Sequence, residues 1–277
     1  MRVVIIGCGK VGSEISKNII NKKYLAKLLL FDRNPENSNK LYKSLNSSNV
    51  ATISSLEEVK EIEYIILTLS AISQEERKKS FLKRNSTYKV RHDEMQANLS
   101  AFNELVPALN KISRNAKIIV VSNPVEEIVS FLHTKLKNEK VYGFGLSLDA
   151  ARYNKILSKE VICIGEHGRA VPLLNLSSEK EYTWLYEEVD SEVMKFLRKK
   201  GMTYKITGAE FEKFFDNLNS KKESMAYITK YLDREVLGIK NCVASLPYIV
   251  KNGKILGVFK INPSKIELKL FRAQCKK

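Results

Sequence analysis

The chain has few cysteines and no long hydrophobic run, and both shortages narrow the classes of protein to which it can belong. Cys8, Cys163, Cys242 and Cys275 are far apart and form no C-x-x-C pair, so neither a zinc site nor a disulfide framework is predicted. No apolar run reaches the roughly 18 to 20 residues that span a bilayer. The sequence enters a strand-like segment at once, without the charged leader of an exported protein. We therefore expect a cytoplasmic protein with no membrane segment and no bound metal.

Acidic residues are also scarce relative to basic ones. The 277 residues include 47 Lys and Arg against 31 Asp and Glu, which gives a formal net charge of +16. The basic residues are spread along the chain and no known nucleic-acid-binding module is present, so we expect a generally basic surface rather than a nucleic-acid partner. Residues 77–91 hold seven basic residues and no acid. We interpret them as a solvated loop, with a lid over an anionic substrate as the alternative.

Strand-like and helix-like segments alternate through the first half of the chain. Apolar runs at 2–6, 25–32, 63–70 and 116–124 are predicted strands, and amphipathic helical patterns follow or separate them. This β-α-β alternation predicts an α/β fold with a doubly wound parallel sheet.

After residue 143 the pattern changes to short strands and helices in mixed order. The segment ends in a hairpin-like stretch with Asn252 and Gly253 at its turn. We predict two domains, one of residues 1–143 with the parallel sheet and one of residues 144–277 with an α+β arrangement.

A glycine-rich turn, "GCGKVGSE", lies between the first predicted strand and helix. Gly7 suits a tight turn, Gly9 admits a pyrophosphate close to the backbone, and Gly12 permits close helix packing. Asp32 follows twenty residues after Gly12 and can accept hydrogen bonds from both ribose hydroxyls. The spacing predicts binding of NAD. NADP remains an alternative, because the guanidinium of Arg33 can pair with its 2′-phosphate.

The segment "IGEHGRAVP" sets His167, one of only three histidines, in a glycine-flanked turn after a β-branched run. Such a histidine is either a satisfied structural group or a proton donor that faces a cleft. In "SLDAAR", Asp149 and Arg152 lie three residues apart, which is also the spacing of an ordinary helical ion pair.

Further polar residues fall where a ligand would bind. Arg91 and Asn98 are seven residues apart, on one face of a predicted helix, and Asn123 ends a strand at the edge where doubly wound sheets bind ligands. A histidine, an aspartate and two arginines beside a dinucleotide suit the reduction of a 2-oxo acid.

Six motifs in one order, "GCGKVG", "FD", "RHDEMQAN", "VVSNPVEEI", "GFGLSLDAAR" and "IGEHG", resemble those of the lactate and malate dehydrogenases. The stretch "LGIKNCVASLPYIVKNG" is similar to part of their C-terminal domain. The resemblance implies a Rossmann domain followed by a substrate domain, NAD as cofactor, a small 2-oxo or 2-hydroxy acid as substrate, and a homo-oligomer, either dimer or tetramer.

The resemblance also implies roles for individual residues. His167 and Asp149 match the catalytic pair, Arg152 the arginine that binds the substrate carboxylate, Arg91 the loop arginine that polarises the carbonyl, and Asn123 a contact to nicotinamide and substrate. The implied cofactor contacts are Gly7, Gly9, Lys10, Val11, Gly12, Asp32, Asn98, Val121, Asn123 and Met225.

The resemblance also implies that a residue six or seven positions before the loop arginine distinguishes the substrates. In the family an arginine there goes with malate and a glutamine with lactate. Arg84 lies seven residues before Arg91 and is the predicted second substrate-binding arginine, which favours malate over lactate. The preceding segment is about ten residues longer than the usual loop, so Lys83 or Lys89 are alternatives. A divergent paralogue that binds the dinucleotide without turnover remains a third possibility.

Overall fold

The computed structural model describes residues 1–84, 86–200 and 203–275. Within these ranges, nine strands form one sheet in the order β11-β10-β9-β6-β5-β4-β1-β2-β3. The strands are β1 (Arg2–Ile6), β2 (Lys27–Phe31), β3 (Val50–Thr52), β4 (Tyr64–Leu67), β5 (Lys117–Val120), β6 (Val141–Gly143), β7 (Cys163–Ile164), β8 (Val171–Pro172), β9 (Ser224–Leu232), β10 (Cys242–Lys251) and β11 (Lys254–Val258), of which β7 and β8 form a separate two-stranded sheet.

Helices cover both faces of the large sheet or flank the site at its edge. They are α1 (Lys10–Ile19), α2 (Pro35–Leu45), α3 (Gln74–Lys83), α4 (Thr87–Asp93), α5 (Met95–Ile112), α6 (Val125–Lys135), α7 (Leu146–Leu157), α8 (Glu179–Lys200), α9 (Tyr204–Asn219) and α10 (Lys265–Gln274).

The predicted α/β fold with a doubly wound sheet is confirmed. Strands β1 to β6 pair with one another in parallel. Val3, Val4 and Ile5 are fully buried because helices pack on both faces of the central strand β1. Strand order reverses beside β1, which lies between β2 and β4. The crevice at the carboxyl ends of β1 and β4 is therefore the expected ligand site.

The second half of the chain adds antiparallel strands to the same sheet. Strand β9 joins β6 through the pair Gly143 and Thr229, and β10 and β11 follow it. The predicted hairpin is confirmed, with its turn at Asn252 (φ 51°) and Gly253 (φ 73°). The sheet thus runs across residue 143, and the division into domains at that point stays a prediction.

Most of the basic stretch 77–91 is helical rather than a loop, since α3 continues to Lys83 and α4 begins at Thr87, with Arg84 and Ser86 extended between them. A reciprocal cap between Ser73 and Glu76 starts α3. Phe81 of α3 and Val90 of α4 then pack against Leu197 of α8. Burial of these apolar side chains holds the two short helices against the body of the protein, beside the crevice.

None of the helices in the described ranges combines the length and the apolar character that crossing a membrane requires.

Candidate active site

A cavity of about 660 Å³ opens at the carboxyl ends of the parallel strands. Most of the predicted site residues line it, although they come from segments more than 150 residues apart in the sequence. Those residues are Gly7, Gly9, Lys10, Val11, Asp32, Arg91, Asn98, Val121, Asn123, Arg152 and His167.

The three glycines of the first turn have different surroundings. A Cβ on Gly7, whose φ is 103°, would lie 2.8 Å from the backbone nitrogen of Leu69, and one on Gly12 would lie 2.0 Å from the carbonyl oxygen of Gly7. A Cβ on Gly9 would meet nothing within 4 Å. Gly7 and Gly12 therefore serve backbone packing, whereas Gly9 leaves space at the N-terminus of α1, where backbone N–H groups favour an anion.

Asp32 is held at the edge of the cavity by three hydrogen bonds. Its Oδ2 accepts from the N–H of Cys8 at 2.6 Å, and its Oδ1 accepts from the N–H of Asn34 and the side-chain amide of Asn37. Oδ1 thus uses both of its lone pairs, whereas Oδ2 keeps one. The carboxylate is fixed in place, and its Oδ2 can still accept from a ribose hydroxyl.

His167 and Asp149 form a buried pair at the opposite end of the cavity. The ring Nδ1 of His167 lies 2.6 Å from Oδ2 of Asp149, and the two residues are 5% and 4% exposed. An ionised carboxylate only accepts hydrogen bonds, so Nδ1 carries the proton that it donates. The other ring nitrogen, Nε2, is left for chemistry in the cavity. Gly145, at the start of α7, packs so closely on the ring that a Cβ there would lie 2.7 Å from Cγ of His167.

Two arginines give this end of the cavity a positive field. Nη1 of Arg152 donates to Oδ1 of Asp149 at 2.9 Å. The guanidinium of Arg91 packs on the turn of His167, since a Cβ on Gly168 would lie 1.9 Å from its Nη1. The predicted histidine, aspartate and arginines are therefore brought together in space.

Burial and positive charge set the protonation of the pair. Burial and the charge of Arg91 lower the pKa of His167 to about 4. Burial opposes ionisation of Asp149, but the interaction and hydrogen bond with His167 and the charges of Arg152 and Arg91 outweigh it and lower the pKa of Asp149 to about 2. In the protein without substrate, His167 is thus neutral and Asp149 ionised at neutral pH.

A contact between α4 and α8, which the sequence analysis missed, holds Arg91. Asp190 of α8 accepts hydrogen bonds from the N–H and the hydroxyl of Thr87, and that hydroxyl oxygen accepts from Nη1 of Arg91 at 3.3 Å. Asp190 lies about 100 residues after its partners, and no local pattern marks it.

Asn98 and Asn123 connect the strand ends near His167. The buried side chain of Asn98 donates to the carbonyl of Asn123 at 2.6 Å and accepts from the N–H of Ala71 at 2.7 Å. Oδ1 of Asn123 is buried without a hydrogen-bond partner among the described residues. Because such an atom is costly to bury alone, it marks a place where a bound group would donate a hydrogen bond.

Besides Gly12, which packs against Gly7 and does not line the cavity, two residues predicted to contact ligands lie elsewhere among the described residues. Arg84 follows the last residue of α3, and its guanidinium pairs with Asp93 at the surface at 2.7 Å and 2.9 Å. Met225 lies on β9, paired with Ile249 of β10, because the run "SMAYITKYL" forms a strand. Neither lines the cavity.

Arg77, which no motif singled out, lines the cavity. It donates two hydrogen bonds to the buried carboxylate of Glu94, at 2.6 Å and 2.8 Å, and one to the hydroxyl of Ser70. The charge of Arg77 is therefore already paired within the protein.

Residues 1–143 match a family profile described as lactate/malate dehydrogenase, NAD binding domain. The chain belongs to the lactate/malate dehydrogenase family. An L-lactate dehydrogenase of Shouchella clausii is 23% identical over 306 aligned positions, with 98% of this chain and 90% of that protein covered.

Solved structures of the family share the fold. A malate dehydrogenase of Archaeoglobus fulgidus in complex with NADH has a TM-score of 0.81 at 18% identity, with 100% of this chain and 96% of that one covered. A minor L-lactate dehydrogenase of Enterococcus mundtii has a TM-score of 0.80 at 21% identity, covering 99% and 94%. NAD is thus the cofactor of this family member, and residues 1–143 match the part of the family that binds it. The open space at Gly9 and the unpaired Oδ1 of Asn123 fit it.

Alanine substitutions at Gly9 and Gly12 are expected to separate cofactor binding from folding. Gly9 has φ −69°, which alanine adopts without strain, so G9A should keep the wild-type Tm. Its methyl group would occupy the space for the pyrophosphate, and loss of one charge-assisted hydrogen bond should weaken NADH binding roughly tenfold to a hundredfold. G12A should instead lower the free energy of unfolding by about 1 to 3 kcal/mol through overpacking. Thermal melts and NADH titrations check both, and a G9A variant with wild-type affinity would contradict the assignment.

Proposed function

We propose that this family member is an NAD-dependent dehydrogenase that interconverts a 2-oxo acid and the corresponding 2-hydroxy acid. The observation that carries the proposal is the contact of His167 with Asp149 at 2.6 Å, beside Arg91 and Arg152, in the same cavity as the glycine turn. A module that only binds a dinucleotide has no evident use for this arrangement.

His167 is the proton donor in the direction of reduction. When bound, NADH supplies the hydride to the carbonyl carbon. Nε2 of the protonated ring donates its proton to the carbonyl oxygen, and in the reverse direction the neutral ring takes that proton back. Asp149 holds the ring in the tautomer with the proton on Nδ1 and stabilises the imidazolium.

The two arginines have different roles toward the substrate. Arg152 uses one Nη1 hydrogen bond on Asp149 and has further donors for the substrate carboxylate, in a planar arrangement that lysine lacks. Arg91 stabilises the negative charge that develops on the carbonyl oxygen, an interaction that is strongest in the transition state.

Substrate binding also favours uptake from solvent of the proton that reduction needs. In the free protein burial and the charge of Arg91 keep the pKa of His167 at about 4. A carboxylate bound at Arg152 adds a negative charge close to the ring and raises that pKa. Binding of a 2-oxo acid should therefore be accompanied by proton uptake at neutral pH.

The surroundings of the cavity favour a substrate with one carboxylate, of the pyruvate and lactate class. The expectation of malate rested on Arg84, and that residue pairs with Asp93 outside the cavity. Lys83 and Lys89 do not line it among the described residues. Arg77 does, but Glu94 neutralises it. A second substrate carboxylate would thus find no unpaired arginine on the segment between Ser70 and Arg91.

An assay with two substrates tests both the reaction and this preference. Protein, NADH and either pyruvate or oxaloacetate are mixed and the absorbance of NADH is followed. We expect oxidation of NADH with pyruvate at a higher kcat/KM than with oxaloacetate. No oxidation with either acid, despite bound NADH, would instead support a paralogue without turnover.

Glu94→Gln should shift the preference toward oxaloacetate. The variant keeps the volume of the side chain but leaves the charge of Arg77 unpaired, and a second carboxylate then gains a partner. The ratio of kcat/KM for oxaloacetate to that for pyruvate is expected to rise roughly tenfold, about 1.4 kcal/mol. Glu104→Gln is the matched control, since Glu104 lines the same cavity without an ion pair to Arg77. An unchanged ratio in E94Q would contradict the claim that the ion pair of Arg77 with Glu94 determines the substrate preference.

A further inference from the structure

Three successive backbone N–H groups of the turn that carries His167 donate to side chains from three different helices. The N–H of Glu166 donates to Gln274 of α10 at 2.8 Å, that of His167 to Glu126 of α6 at 2.9 Å, and that of Gly168 to Asp149 of α7 at 3.2 Å. The position of the turn is therefore fixed by side chains of three helices that lie outside it.

Gln274 contacts both ends of this turn. Its Oε1 accepts from the N–H of Glu166, and its Nε2 donates to the carbonyl of Arg169 at 2.7 Å. The amide also lies against Gly165, whose φ is 109° and where a Cβ would come within 2.4 Å of Oε1 of Gln274. One side chain thus spans the residues on either side of His167.

Packing of α10 fixes where this amide lies. Phe271 is fully buried, and Glu267, 1% exposed, accepts hydrogen bonds from the N–H groups of Leu174 and Asn175 and from the hydroxyl of Tyr182. Gln274 is in the last turn of the same helix. Its position relative to the turn therefore does not depend on contacts of its own.

We propose that Gln274 is a positioning residue for His167, a role that rests on the proposed function. The amide holds the turn so that Nε2 of His167 meets the carbonyl oxygen of the substrate. Only a group that both donates and accepts can make the two bonds, which an amide does and a carboxylate or thioether does not. Because proton transfer requires hydrogen-bond distance, a small displacement of the ring lowers turnover steeply.

The test compares two substitutions of Gln274 with a control on the same helix. Gln274→Met keeps the length of the side chain and loses both hydrogen bonds, whereas Gln274→Glu keeps the acceptor and loses the donor. Arg272→Ala removes the other anchor of this helix turn, the bond from Nε of Arg272 to the carbonyl of Leu237, which does not touch residues 165–169. The readouts are kcat and KM with pyruvate and NADH, Tm, and hydrogen exchange of the backbone amide of Glu166.

We expect Q274M to lower kcat roughly tenfold to a hundredfold, with the KM for NADH unchanged and exchange at Glu166 faster. Q274E should fall between Q274M and the wild type in kcat. R272A should lower Tm as much as Q274M does, while kcat stays within about twofold and exchange at Glu166 is unchanged.

Two results would overturn the role of Gln274 while leaving the proposed function intact. The first is a wild-type kcat in Q274M. The second is a loss of kcat in both Q274M and R272A that is proportional to the loss of Tm in each variant. A wild-type protein that binds NADH and turns over neither acid would instead overturn the proposed function, and the positioning role with it. Amide exchange, which needs no turnover, then still shows whether Gln274 holds the turn.

Discussion

His167→Asn is expected to lower kcat for pyruvate reduction by roughly 10²- to 10⁴-fold, the range that general acid catalysis contributes. Asparagine can still donate a hydrogen bond to Asp149, so the surrounding structure should persist. It has no group that releases a proton near neutral pH. NADH affinity, measured by titration of its fluorescence, should stay within about twofold because the glycine turn and Asp32 are unchanged.

His133→Asn is the matched control for that variant. His133 lies on α6, stacked on Tyr231 at 4.0 Å between ring centroids and outside the cavity. It should retain wild-type turnover. An H167N protein with wild-type kcat would refute the assigned role, and one that loses both turnover and NADH binding would indicate a folding defect instead.

Arg152→Leu should lower kcat/KM for pyruvate by roughly 10²- to 10⁴-fold. The substitution removes two charge-assisted hydrogen bonds to the substrate carboxylate, each of which contributes about 1.5 to 3 kcal/mol. It also removes the ion pair with Asp149, although Asp149 keeps His167 and the N–H of Gly168 as donors. Steady-state kinetics over a range of pyruvate concentrations give the value.

Arg84→Gln is the control for loss of an arginine near the site. Because Arg84 is bound to Asp93 at the surface, the R84Q variant should have a kcat/KM within about twofold of wild type for both pyruvate and oxaloacetate. A strong loss of oxaloacetate turnover in R84Q alone would restore the original argument for malate. Equal effects of R152L and R84Q would contradict the separate roles given to these arginines.

Local patterns predicted the parts of the fold and site that local chemistry determines. The β-branched run before Gly7, the glycine spacing and the position of Asp32 were read from short segments, and Ile6, Gly7, Gly9 and Asp32 line the cavity. The resemblance to the family implied a pair of His167 with Asp149, and the two residues are in contact.

Counting along the sequence failed where the chain adopted a different local structure. Arg84 has the expected separation from Arg91, but α3 ends just before it and directs it toward Asp93. Met225 matches a short motif, yet its β-branched and aromatic neighbours form a strand. A motif carries a role only where the backbone conformation that it implies is also present.

Contacts between segments that are distant in the sequence could not be predicted, because no local sequence pattern marks them. Gln274 is 108 residues from Glu166, and Asp190 is 103 residues from Thr87. Each looks like an ordinary polar residue of an amphipathic helix in the sequence. Their relation to His167 and Arg91 arises from helix packing, which no local spacing encodes.

Transfer of deuterium from C4 of NADH to pyruvate tests most directly whether this cavity performs hydride transfer next to His167. NADH labelled with deuterium at both C4 positions is mixed with the protein and pyruvate, and the 2-hydroxy acid is isolated and analysed by mass spectrometry. We expect lactate with one deuterium at C2, formed by the wild type and almost absent with H167N. NADH that binds to the cavity but gives no deuterated 2-hydroxy acid, from pyruvate or from oxaloacetate, would contradict the proposed chemistry.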